Sequence, residues 1–295
     1  MRKLKGSVID KLIEQKLTSA EVDFVVWLSR FQDVTGLVRG VYYKDICSDL
    51  HILSPQTFYN IKSSLEEKGI LEISKNENCH GDWDIRIRGN DFSQEDVRQG
   101  GKIQNYLNMG LSVFYRQEFY QMKANEKLMT LLYLKIAHVG SPNYHIGTQQ
   151  FFKKYTSLFG VTERTLRNYL TGIKKFFAVG IRNREYWISP LRKKVHKDDT
   201  TTDKSERIKQ VAGSLCRRFR LDAVHAYATV HDLLDQYTYA VSIDLEPIFM
   251  ASIRDLLIRR NHNCTDRLKW KRRDIHEKYL HKIFREHLPD WALNA

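Results

Sequence analysis

Apolar residues recur at helical spacing between residues 54 and 68, and the positions between them are polar. The apolar face of this predicted helix consists of Phe58, Ile61 and Leu65. Ser54 is a candidate N-cap, because its hydroxyl can accept hydrogen bonds from the free N–H groups of the first turn. Pro55 suits the first helical position, where a missing N–H costs nothing. The pattern predicts a helix that starts after Ser54 and ends before Gly69.

The residues before this helix complete the pattern of a helix-turn-helix, which we place from Tyr43 to Leu71. Leu53 and Phe58 have the spacing of a hydrophobic staple, in which a residue before the N-cap packs on the first turns of the helix. We interpret the second helix as lying in the major groove of DNA. Its polar side chains are of the types that contact base edges and phosphates.

The same pattern returns about 108 residues later. Residues 157–177 match residues 48–68, with Thr162 in the place of Ser54. The polar face of this second helix is basic and carries Arg164, Arg167, Asn168, Lys174 and Lys175. Self-similarity at a fixed offset indicates a duplicated structural unit.

Helix and strand patterns also surround the first helix-turn-helix. Thr18 and Glu21 have the spacing of a capping box, and the helix they start is predicted to end near Arg30. Residues 70–74 and 83–88 alternate in polarity, as the two strands of a hairpin do. We interpret the glycines between the first two helices as a loop. The predicted order is helix, helix, helix, strand, turn, strand.

The second unit starts near Asn125 and repeats this order with a shorter hairpin. Its strands are predicted at residues 179–181 and 186–188, and the tip between them is basic, with Arg182 and Arg184. Residues 140–142 (Gly-Ser-Pro) interrupt the helical pattern and are interpreted as the loop after the first helix of this unit.

Charge points to the class of partner. The formal net charge is +13, and such an excess favours a polyanion, of which nucleic acid is the usual one. A hydrophobic content of 42% supports packed domains rather than disorder. The N-terminus does not have the pattern of a signal peptide, and no apolar run reaches the length of a membrane helix. We therefore expect a cytoplasmic protein with no membrane partner.

Residues 18–90, with the run GILEIS after their third helix, resemble a bacterial winged-helix domain. The tandem pair resembles winged-helix transcription regulators and plasmid or phage replication initiators. The resemblance implies that the third helix of each domain reads the major groove and that the hairpin, or wing, touches phosphate or the minor groove. The implied DNA-binding residues are Gln56, Thr57, Tyr59, Asn60, Lys62, Arg86, Arg88, Arg164, Arg167, Asn168, Lys174, Lys175, Arg182 and Arg184.

We expect a mainly α fold with small β-wings, in the α+β class. The expected segments are an N-terminal helix (1–17), winged helix 1 (18–92), a connecting segment (93–122), winged helix 2 (123–190), a linker (191–204) and a C-terminal helical domain (205–295). The C-terminal helices are expected to form a homo-oligomer or to bind a partner. Within them, the cluster KWKRR at 269–273 is either a phosphate-binding site or a solvated loop.

Motifs for chemistry are not found. The sequence has no glycine-rich phosphate loop and no dinucleotide fingerprint. Its four cysteines are far apart, without the spacing of a zinc site. We therefore expect no enzymatic activity, no cofactor and no metal. The aromatic residues between 115 and 120 are either core or a platform for stacked bases, and only the second interpretation would favour RNA.

The sequence thus predicts a specific double-stranded DNA-binding protein, with helices 54–68 and 162–177 in the major groove. Control of transcription is the expected output, and initiation of plasmid or phage replication is the alternative. A protein-interaction module without DNA contact is the rival from a different class.

Overall fold

The computed structural model describes residues 2–75, 82–93, 105–139, 143–195, 201–221, 224–240, 245–263 and 277–289. Over these ranges the chain is mainly helical, with thirteen α-helices and three small antiparallel sheets. This agrees with the predicted mainly α, α+β class.

The N-terminal segment is a short strand followed by a helix. Strand β1 (Lys3–Lys5) pairs with β5 (Tyr106–Asn108), which lies far along the chain. Helix α1 (Gly6–Glu14) buries the apolar face formed by Val8, Ile9, Leu12 and Ile13. The predicted N-terminal helix is therefore present in shortened form, and its apolar face is covered by the protein itself.

The first repeat (residues 19–87) contains three helices and three strands. Its elements are α2 (Ser19–Phe31), β2 (Leu37–Tyr42), α3 (Tyr43–Asp49), α4 (Pro55–Glu67), β3 (Leu71–Lys75) and β4 (Asp82–Ile87). The strands form a sheet in the order β2-β4-β3. Thr18 caps α2 together with Glu21 in the predicted capping box.

The second repeat (residues 124–190) has the same order of elements. They are α6 (Ala124–Val139), β6 (Tyr144–Gly147), α7 (Thr148–Phe159), α8 (Glu163–Ile173), β7 (Phe177–Arg182) and β8 (Glu185–Pro190). Its sheet has the order β6-β8-β7, which corresponds to the order of the first sheet. The duplicated pattern in the sequence therefore matches a duplicated arrangement of elements.

The first strand of each repeat was not predicted. The sequence predicts a loop marked by Gly36 and Gly40, but residues 37–42 form a strand, and Gly40 sits inside it with φ +68°. Such a conformation suits glycine, which has no Cβ. Strand β6 is only four residues long and follows the break at 140–142, so its pattern is too short to recognise.

The segment between the repeats is part of the core. It contains β5, a 3-10 turn (Ser112–Tyr115) and helix α5 (Gln117–Tyr120). Phe114 and Phe119 are fully buried and pack edge to face. The core interpretation therefore holds for Phe119, whereas Tyr115 and Tyr120 are half-buried.

A buried ion pair joins the first helices of the two repeats. The ammonium of Lys127, in α6, lies 2.6 Å from both carboxylate oxygens of Asp23, in α2. It also donates to the Ser19 hydroxyl and to the Tyr120 carbonyl, so this fully buried side chain is well supplied with acceptors. Burial raises the pKa of the Asp23 carboxyl, and the Lys127 charge opposes that rise.

The chain divides into two compact units. The first comprises residues 1–38, 44–73 and 85–198, and includes most of both repeats. It also includes the short helix α9 (Arg192–Val195), which lies in the predicted linker. The second comprises residues 39–43, 74–84 and 199–295. The outer half of the first hairpin thus groups with the C-terminal helices, which the sequence-based domain boundaries did not anticipate.

In its described residues, the C-terminal part of the second unit consists of four helices. They are α10 (Thr201–Phe219), α11 (His225–Ala240), α12 (Leu245–Asn263) and α13 (Glu277–His287). Their apolar faces form one core, which includes Leu215, Val230, Phe249, Ile253 and Phe284. The described part of residues 205–295 is therefore helical, as the sequence predicts. The KWKRR cluster at 269–273 lies outside the described residues.

Candidate nucleic-acid interface

Helix α8 is held by a cap and by a buried apolar face. The Thr162 hydroxyl accepts from the backbone N–H of Thr165, as the N-cap pattern predicts. Leu166, Leu170 and Ile173 are buried beneath the helix. This arrangement fixes which positions of α8 face the solvent.

The residues of α8 and of the turn after it that are predicted to contact DNA are all exposed. They are Arg164, Arg167, Asn168, Lys174 and Lys175. Arg167 is positioned by its neighbours, since its guanidinium lies 3.1 Å from Glu163 and 4.7 Å from the centre of the Phe152 ring. In the described part of the chain, Arg164 has no side-chain hydrogen bond or ion pair.

The hairpin after α8 adds two further cations. Strands β7 and β8 are joined by a two-residue turn, Asn183-Arg184, in which the φ angles are 50° and 63°. Positive φ at both central residues is the signature of a type I′ turn, whose second position favours glycine. Arg182 and Arg184 are exposed at this tip. An arginine in a position that favours glycine is a local cost, and such costs cluster at functional sites.

Helix α4 in the first repeat forms as its sequence predicts. The Ser54 hydroxyl accepts from the N–H of Gln56, and Pro55 occupies the first turn. Gly69 follows the helix with φ +65°, and the N–H of Ile70 donates to the carbonyl of Leu65, which closes the C-terminus. The predicted apolar residues of α4 are buried.

The outward face of α4 carries amides and hydroxyls. Gln56, Thr57 and Asn60 are exposed, whereas Tyr59 is half-buried against Phe58. The side-chain amide of Gln56 donates to that of Asn60 at 2.9 Å. These two amides lie one helical turn apart on the same face.

Lys62 departs from the prediction that it contacts DNA. It is only 7% exposed, and burial lowers the pKa of its ammonium. The equivalent residue of α8 is Leu170, which is also buried. This equivalence is visible in the sequence at the 108-residue offset, and it places Lys62 on the buried side of the helix.

The predicted staple at Leu53 was also wrong. Leu53 is fully exposed at 103% of its reference area and does not cover Phe58. His51, with φ 53°, ends α3 as Gly160, with φ 61°, ends α7. Two residues, Ile52 and Leu53, lie between His51 and the N-cap Ser54, but only Val161 lies between Gly160 and its counterpart Thr162. The first turn is one residue longer, and Leu53 is the residue that points into solvent.

The two predicted cations of the first hairpin differ in exposure. Arg88 is exposed, whereas Arg86 is half-buried in β4. The start of β4 is acidic, and its two carboxylates are already ion-paired, because Asp82 and Asp84 both bind the buried Arg218 of α10. Burial raises the pKa of Asp82, with Arg218 and Arg217 opposing the rise. No local pattern in the sequence indicates this cluster, since its residues lie about 135 positions apart.

The same part of the second unit includes a close backbone approach. A Cβ on Gly40 would lie 1.8 Å from the Ser214 hydroxyl oxygen, so only glycine fits beside α10 there. The guanidinium of Arg217 donates to the Gly40 carbonyl and lies 4.6 Å from the centre of the Tyr42 ring. The end of β2 and the start of β4 are therefore packed and ion-paired within the second unit.

Searches of the described residues for other kinds of site are negative. No cluster of three or more His, Cys, Asp or Glu side chains there could hold a metal ion. Of the helices in the described ranges, none is long and apolar enough to cross a membrane. Comparison of the chain with protein families, with curated proteins and with solved structures gives no match.

Proposed function

We propose that this protein binds double-stranded DNA in a sequence-specific manner. The carrying observation is the basic surface of the second repeat, where α8, the turn after it and the β7–β8 tip expose cations. Cations at such positions release the counterions of DNA when they contact phosphates, which supplies affinity. In this proposal each repeat is a winged-helix domain, which the element order and the three-stranded sheets support.

Two reading helices within one chain would cover two segments of the major groove. Control of transcription is the output that we propose for such a reader, by analogy with the commoner use of this arrangement. Initiation of replication at plasmid or phage origin repeats is the alternative, favoured by the tandem repetition of the reading unit. The proposal contains no catalytic step.

The test is selection of bound sequences from random duplex DNA by the purified full chain at moderate salt. Enrichment of a motif supports specific DNA reading, and the location of that motif at promoters or at an origin separates the two outputs. Absence of any binding would contradict the proposal and leave the protein-interaction module.

A matched pair of variants connects binding to the two helices. The variant Arg164→Ala/Arg167→Ala should bind all duplexes about 100-fold more weakly, because two exposed cations are removed. The double variant of the exposed α4 amides, Gln56→Ala/Asn60→Ala, should alter sequence preference more than nonspecific affinity. Unchanged affinity of a folded Arg164→Ala/Arg167→Ala protein would remove α8 from the interface.

A further inference from the structure

The exposed face of α4 offers hydrogen bonds without available positive charge. Of its two lysines, Lys62 is buried, and Lys68 at the C-cap donates to both carboxylate oxygens of Glu21 at 2.7 and 2.9 Å. The exposed residues near the start of the helix are Gln56, Thr57 and Asn60. Any selectivity of this face for DNA must therefore come from neutral donors and acceptors.

The Gln56–Asn60 pair has the chemistry of adenine recognition. Each carboxamide can pair through its donor and acceptor with N7 and N6 of adenine, which face the major groove. The mutual bond at 2.9 Å orients the two amides, and each keeps further hydrogen-bonding capacity. Leu53, fully exposed just before the N-cap, adds an apolar group of the kind that contacts a thymine methyl.

The equivalent positions of α8 carry a different combination. Asn168 stands where Asn60 stands, but Arg164 stands where Gln56 stands. Both residues of α8 are exposed, and the guanidinium of Arg164 is uncommitted within the described chain. Arginine pairs in bidentate fashion with O6 and N7 of guanine. One position is thus shared by the two helices, and the position one turn earlier differs.

We propose that the preferred DNA site is asymmetric and consists of two related half-sites. The half-sites share an adenine, read by Asn60 in one and by Asn168 in the other. They differ at a neighbouring base pair, which is A·T opposite Gln56 and G·C opposite Arg164. This inference rests on the proposed function and specifies the class of sequence that the same surface recognises.

The experiment selects sites with the wild-type chain and with Gln56→Arg, which gives α4 the arginine of α8. Wild-type protein should select unequal half-sites. Gln56→Arg should exchange adenine for guanine at one position of one half-site. The relative affinity for duplexes with adenine and with guanine at that position should shift about tenfold. Ser63→Ala, an exposed position on the same helix, is the control and should leave the selected motif unchanged.

A second variant guards against a folding artefact in the first. Asn60→Ala should abolish selection of the shared adenine in the α4 half-site only, and both variants are checked by thermal unfolding against the wild type. Identical half-sites would overturn the proposed asymmetry. A motif without base preference on the α4 side would also overturn the proposal and would assign that face to a protein partner. If the wild-type chain binds no DNA at all, the proposed function itself is overturned.

Discussion

The two repeats share their internal construction and differ in what they expose. Both start their third helix with a hydroxyl cap, and both have sheets of corresponding strand order. On the surface, Glu66 and Glu67 of the first stand where Lys174 and Lys175 of the second stand. Buried and capping positions therefore specify the shared fold, while the exposed positions are free to take opposite charge.

Each repeat also has a glutamate near the start of its first helix that caps that helix and lies against the third helix. In the first repeat, the Glu21 carboxylate accepts from the backbone N–H of Thr18 and from the Ser64 hydroxyl. In the second, Glu126 accepts from the N–H of Lys123, and its carboxyl carbon would lie 2.6 Å from a Cβ on Gly172. A capping glutamate is thus placed against the third helix in both repeats.

The largest expected effect breaks the link between the repeats. Asp23→Ala would leave the buried Lys127 ammonium without its counter-charge, and we expect a loss of about 3–5 kcal/mol in the free energy of unfolding. Urea denaturation at neutral pH measures it. The double variant Asp23→Leu/Lys127→Leu should recover most of the loss, because it removes both charges. A loss below about 1 kcal/mol for the single variant would show that the pair does not hold the repeats together.

The second-largest expected effect concerns the basic tip of the β7–β8 hairpin in the second repeat. Arg184→Gly should weaken DNA binding about tenfold, because a cation is lost, while relief of positive φ should stabilise the protein by about 1 kcal/mol. Binding titration and thermal unfolding measure the two changes separately. Arg184→Lys is the control and should keep most of the affinity. Parallel gain or parallel loss in both measurements would argue against a functional role for the strained arginine.

A third variant tests the capping glutamate through pH. Burial favours the neutral form of Glu21, but bonds from Lys68, Ser64 and Thr18 outweigh it and hold the pKa of its carboxyl below the ordinary value. The folded pKa is therefore depressed, and its contribution to stability is present above about pH 4.5 and lost as the pH falls. Glu21→Gln should be about 1–2 kcal/mol less stable than wild type at pH 6–7. If this difference does not shrink in acid, the carboxylate is not its source.

The substitution with the smallest expected effect places a buried residue of the second repeat in the first. Lys62→Leu places the leucine of α8 at the equivalent position of α4, and removing a buried charge should stabilise the protein by about 0.5–1 kcal/mol. DNA affinity should not change, because the Lys62 side chain is almost entirely buried. Weaker binding by the folded variant would restore Lys62 to the interface.

Local chemistry made much of this fold predictable. Ser54 and Thr162 cap their helices whatever surrounds them, since the hydroxyl and the backbone N–H that donates to it are only a few residues apart. The apolar spacing of α8 indicated its buried face, and so left Arg164 and Arg167 on the exposed face. The candidate interface of the second repeat was accordingly available from the sequence.

Other features depended on residues that the chain brings together from afar. The sequence by itself determined the helices, their caps and the repeated pattern, because these depend on neighbours within one or two turns. Only the tertiary structure decided that Leu53 is exposed and that Asp82 binds Arg218. Those outcomes depend on which distant surfaces exclude water, and a one-dimensional pattern does not specify them.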